Sequence, residues 1–66
     1  MEAYTLAAIR VNKGLTVEAM ADLMGVSVDR WRRVESGETK MLATELVNFH
    51  KVTGVPYEYI NVPQAD

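Results

Sequence analysis

Four glycines set the plan of this chain. Gly14, Gly25, Gly37 and Gly54 each follow a segment with the apolar spacing of a helix, and each is followed within a few residues by another such segment. A glycine just past the last turn takes the left-handed conformation that ends a helix, so the pattern marks four helix stops in 66 residues. No segment alternates apolar and polar residues for long enough to demand a strand. The expected fold class is therefore all-α: a compact bundle of about five short helices in a single domain over residues 1–66, with a C-terminal tail at 61–66.

Capping residues and periodicity place the helices. The first is expected over Ala3 to Asn12, with Leu6 and Ile9 facing inward and Lys13 beside its C-terminal carbonyls. The second is expected at 17–24, capped by Thr16, with Glu18 in a first turn that favours an anion and Met20, Leu23 and Met24 pointing one way. Ser27 caps a third helix at 28–36, and a fourth runs from Ala43 to Val52, with Leu42 before it and Leu46, Phe49 and Thr53 continuing its stripe. Pro56, with its fixed φ and missing N–H, suits the first turn of a short fifth helix. The stretch "YEYINV", Tyr57 to Val62, fits a strand as well as a helix.

Composition narrows the function classes. At 48% hydrophobic residues the chain can build a small core, although a domain this short hides only roughly 60% of its unfolded surface. Its apolar runs fall far below the ~20 residues of a membrane helix, and no basic, apolar and small-residue segments stand in series as in a secretory signal. Without cysteine it has no disulfide, thiolate metal site or thiol nucleophile. A cytoplasmic protein with no metal, cofactor, small-molecule ligand or membrane partner is expected. The single histidine, His50, lies between Phe49 and Lys51 with no ligand cluster near it and reads as a packing or surface residue. No nucleophile with a nearby base, no paired-carboxylate motif and no phosphate-cradling loop is present, so no catalytic residue is named and an enzyme is not expected.

Charge is distributed unevenly. Residues 27–40 hold Arg30, Arg32, Arg33 and Lys40 against Asp29, Glu35 and Glu38, for a local charge of +1 in a chain whose net charge is −2. A protein that is acidic overall meets nucleic acid through a local patch or not at all. At 100° per residue, Trp31 and Val34 share one side of the third helix, and Asp29, Arg32, Arg33 and Ser36 share the other. The apolar pair must face the core, which leaves a polar ridge outward, with Arg30 on its flank and Val28 at its N-terminal edge. The preceding helix is only "GVS" away, with Gly25 turning the chain and Val26 plugging the corner.

One helix braced across another, with exposed side chains on the second, is the arrangement that reads a major groove. "GLTVEAMADLMGVSVDRWRRVESGETK" resembles the helix-turn-helix of the Cro and repressor family of phage and bacterial transcription regulators, and the likeness extends from about Leu6 to Ile60. It rests on Gly14-Leu15-Thr16 before the first motif helix, Ala21 where the helices touch, Gly25 and Val26 in the turn, Ser27 as cap, and Val34-Glu35-Ser36-Gly37 at the end. The resemblance implies a lambda-repressor-like domain that binds double-stranded DNA as a homodimer and represses transcription. It also implies a structural salt bridge between Arg10 and Glu35.

Carried over position by position, the family's base contacts fall on Val28, Asp29 and Arg33, with Arg32 nearby. Its phosphate-facing positions fall on Thr16, Val17, Ser27, Ser36 and Lys40, Thr39 is retained beside Lys40 for backbone contact, and Arg30 on the flank of the ridge is expected to add another. Arg33 either bonds guanine O6 and N7 or stays a solvated arginine paired with Asp29. Asp29 accepts from cytosine N4, steadies an arginine, or answers the helix dipole. Val28 offers apolar contact to a thymine methyl or packs half-exposed, and Thr16 and Ser27 cap helices whether or not they meet phosphate. Three departures stand out. Val17 replaces a glutamine common in the family, Trp31 replaces isoleucine or valine, and Glu38 adds a charge that phosphate repels. The acidic total and Val17 leave a second expectation open: a helix-turn-helix fold used for protein binding, as in a modulator or antitoxin, through the Tyr4, Ala8 and Val11 face of the first helix.

Overall fold

A computed structural model describes residues 3–63. Four α-helices carry the fold: α1 (Leu6–Asn12), α2 (Val17–Met24), α3 (Val28–Ser36) and α4 (Ala43–Thr53). Their starts follow side-chain caps. Thr5 accepts from the Ala8 N–H at 3.1 Å, Thr16 from Ala19 at 3.0 Å and Ser27 from Arg30 at 3.0 Å, each satisfying one orphan donor of a first turn. At α4 the cap residue is Leu42, which has no oxygen to offer. There the Glu45 carboxylate reaches back to the Leu42 N–H at 2.8 Å, half of a capping box.

The bundle of five helices is corrected to four. Where a fifth was expected, Tyr57–Tyr59 form a single 3-10 turn after Pro56, and the chain then extends. Ile60–Asn61 (β2) pair in parallel with Tyr4–Thr5 (β1), Tyr4 opposite Ile60 and Thr5 opposite Asn61. Neither reading of "YEYINV" holds over the whole stretch: residues 57–59 make only a 3-10 turn and residues 60–61 a short strand, because a turn this short cannot sustain an α-helix on its own while a neighbouring strand accepts its backbone bonds. The same pairing shortens the first helix, which begins at Leu6 rather than Ala3. Of the tail expected at 61–66, Asn61 belongs to β2, and residues 64–66 lie outside the described residues.

The core gathers Leu6 and Ile9 of α1, Met20, Ala21 and Met24 of α2, Trp31 and Val34 of α3, Met41, Phe49 of α4 and Ile60. Trp31 and Phe49 are both fully buried, and their rings stack with centroids 5.7 Å apart at 23°. Leu23, expected inward with Met20 and Met24, is 52% exposed. On α2 the inward arc is centred between Met20, Ala21 and Met24, and Leu23 falls about 100° off it.

The turn between α2 and α3 fixes their relation. Gly25 sits at φ 71°, its N–H donates to Asp22 O at 3.1 Å, and the Val26 N–H donates to Ala21 O at 3.0 Å. These two bonds are those of a Schellman ending, with Val26 packed on the core beside Ala21. Two residues later Ser27 caps α3, so the corner is a defined turn and not a flexible joint.

Candidate functional site

The exposed face of α3 is set by what its other face buries. Trp31 and Val34, both 1% exposed or less, turn inward, and Asp29, Arg32, Arg33 and Ser36 are all exposed. Three sets of side-chain contacts involve α3: one to α1 beneath it, one to α4, and one on the ridge itself.

The first network runs beneath the helix. Arg10 of α1 donates from Nε to Glu35 Oε2 at 3.0 Å and from Nη2 to Oε1 at 3.2 Å, and its Nη1 donates to the Leu15 carbonyl at 2.8 Å. Glu35 Oε2 also accepts from the indole Nε1 of Trp31 at 2.7 Å. A buried indole requires a partner for its N–H, and Glu35, one turn along the same helix, supplies it. This bond is what lets a tryptophan sit fully buried at this position, where its N–H would otherwise have no partner. The carboxylate that meets Arg10 thus also receives the indole N–H.

The second network braces α3 against α4. Arg30 meets Glu45 with two bonds, Nη2 to Oε1 at 2.7 Å and Nε to Oε2 at 3.2 Å, and a third bond joins its Nη2 to the Lys40 carbonyl at 3.3 Å. The Arg30 hydrogen bonds hold the Glu45 carboxyl below its ordinary value of 4.5. Burial opposes that shift, and the Leu42 N–H and the positive charge reinforce it. The Arg30 guanidinium is correspondingly raised, chiefly by its bond to Glu45. Because the folded value is depressed, the stabilisation is fully present above the ordinary value and is lost as pH falls through the folded one. The melting temperature is therefore expected to fall as pH drops below about 4.5, and Glu45→Gln to flatten that acid limb while lowering the plateau at neutral pH. Thermal melts of both proteins across the acid range measure this.

The third network lies on the ridge itself. Arg33 Nη2 stands 3.2 Å from Asp29 Oδ2, one turn back on α3, and Arg32 Nη2 stands 3.7 Å from Glu18 Oε2 on α2. All four side chains are more than half exposed, so each pair is worth no more than about 1 kcal/mol and opens easily.

The remaining candidate residues border this ridge. Val28 is half-buried against the core, while Thr16 and Ser27 are exposed with their hydroxyl oxygens already capping helices. The Ser36 hydroxyl donates to Arg33 O at 3.1 Å, the Thr39 N–H donates to the same carbonyl at 3.1 Å, and Lys40 is exposed. Among the named cations Arg30 differs, since its guanidinium is committed to Glu45 and to Lys40 O. Glu18 and Glu45 took no part in the sequence-based site. The Arg32–Glu18 and Arg30–Glu45 pairs span 14 and 15 residues and join separate helices, so no local spacing announces them. The Trp31–Glu35 bond did carry a signal, its spacing of four residues.

A family model described as a helix-turn-helix domain matches residues 3–58. The chain belongs to that family. The matched residues include α2, its turn and α3, the two helices of the helix-turn-helix, and the family carries DNA binding as its general function. No curated protein and no solved structure matches the chain. Elsewhere in this helix-turn-helix domain, His50 stacks on Tyr57 with ring centroids 4.1 Å apart, and its Nδ1 lies 2.7 Å from Val55 O. Among the described residues no helix is long and apolar enough to cross a membrane, and no three potential metal ligands cluster.

Proposed function

We infer that this helix-turn-helix domain is a sequence-specific transcriptional regulator of the Cro and repressor type, which lays α3 in the major groove of an operator. The observation that carries the reading is the two-sided character of α3: a fully buried indole and valine on one side, exposed Arg32 and Arg33 on the other. Arg33 reads guanine, Arg32 and Asp29 contact neighbouring base edges, and Val28 meets a thymine methyl. Thr16, Ser27, Ser36, Thr39 and Lys40 line the phosphates on either side, with Arg30 contributing less because Glu45 holds it. A homodimer presents two α3 helices about one turn of DNA apart, ~34 Å, to a near-palindromic site, and repression follows from occupying the promoter.

Selection of bound duplexes from a random pool tests this. The expected outcome is a two-fold-related consensus, with Arg33→Ala losing about 1–3 kcal/mol of discrimination at one base position in each half-site. Recovery of no consensus overturns the reading.

A specific observation favours a second reading. An open groove of about 450 Å³ lies between α1 and the C-terminal turn, lined by Tyr4, Ala8, Ile9, Asn12, Lys13, Val55 and Tyr59. Tyr4 and Ala8, both exposed, thus contribute to it. A protein-binding module uses that face, and it is distinguished by the absence of measurable binding to any duplex at low salt.

A further inference from the structure

Both exposed arginines of the α3 ridge stand beside a carboxylate. Arg33 is met by Asp29 at 3.2 Å and Arg32 by Glu18 at 3.7 Å, so the four side chains sum to no charge in a protein whose total is −2. The two acids come from different elements, Asp29 from the first turn of α3 and Glu18 from the first turn of α2. A first-turn carboxylate answers the helix dipole wherever it points. These two in addition reach the arginines.

We propose that Glu18 and Asp29 are specificity-determining residues, which mask Arg32 and Arg33 from phosphate and so suppress binding to duplexes that lack the correct bases. The inference rests on the DNA-binding reading of α3. Non-specific affinity comes almost wholly from cations neutralising phosphates, and a face with no net charge gains little of it. Correct base edges restore the balance in two ways. Guanine O6 and N7 replace a carboxylate as acceptors for an arginine, and a cytosine amino group gives Asp29 a donor in exchange. On a wrong sequence the carboxylates stay on the arginines and bring their negative charge toward the phosphates, a repulsive element that penalises the competitor more than the target. The exposed pairs are weak enough to open at little cost, so the specific complex is not penalised in the same measure.

The test compares the duplex recovered by selection with a scrambled duplex of the same length and composition, at one salt concentration. Wild type is set beside Glu18→Gln, Asp29→Asn and Glu58→Gln, the last making the same change in net charge on the C-terminal turn. Glu18→Gln and Asp29→Asn are each expected to tighten binding to the scrambled duplex by about 2–5-fold, the worth of one exposed charge pair, and to tighten the selected duplex less. The specificity ratio then falls, and the log-log salt slope on scrambled duplex steepens by about 1. Glu58→Gln is expected to leave the ratio unchanged. The proposal is overturned if both duplexes tighten equally, or if Glu18→Gln and Asp29→Asn do no more than Glu58→Gln. Failure of wild type to bind either duplex removes the DNA-binding reading itself, a distinct result.

Discussion

Replacing Glu35 with alanine is expected to destabilise the protein by about 3–5 kcal/mol, a large share of the roughly 5–15 kcal/mol available to a small domain. The carboxylate serves two donors at once. Its loss leaves the Arg10 side chain, 14% exposed, without its counter-charge, and leaves the buried Trp31 N–H with no acceptor. An uncompensated charge that burial keeps from water is the costly part, more than the attraction that is lost. Arg10→Met should cost less, since Glu35 keeps the Trp31 N–H, and the double variant Arg10→Met with Glu35→Gln should recover part of the loss. Urea denaturation followed by Trp31 fluorescence measures all three. A Glu35→Ala cost below about 1 kcal/mol would show the pair behaving as an ordinary surface contact.

Trp31→Ala is expected to be as damaging, about 3–5 kcal/mol, through the cavity it opens. The side chain is fully buried, stacks on Phe49 and is one of only two α3 residues in the core, the other being Val34. With the ring gone, α3 loses most of the surface that orients it, so DNA affinity falls together with stability. Trp31→Phe keeps a ring to stack on Phe49, losing the N–H bond to Glu35 and part of the indole's volume, and it should be markedly milder. Far-UV circular dichroism in urea distinguishes the two. Equal losses in both variants would show that the ring stacked on Phe49 is not what carries the stability.

The parts of this fold that could be read from sequence are those encoded locally. Thr16, Gly25, Ser27 and Gly37 bracket α2 and α3 because caps and left-handed stops act within one turn, and the outward turn of Asp29, Arg32 and Arg33 follows from helical period once Trp31 must be buried. The pairing of Tyr4 with Ile60 could not be read, since each strand is two residues long and their partnership spans 56 residues. Leu23 was misplaced because apolar character alone does not fix the centre of a helix's inward arc. At the site, residue types were legible but their commitments were not. Nothing near Arg30 in sequence signals that Glu45 binds it, and nothing near Glu18 signals Arg32.

A regulator of this type must meet the duplex with α3. Amide chemical-shift changes on titrating the protein with its selected duplex measure this most directly. The predicted result is that the large shifts fall on Ser27 to Ser36 and on Thr16 and Val17, with the α1 groove around Ala8 and Tyr59 little changed. Large shifts at that groove, with α3 unmoved, would contradict the account.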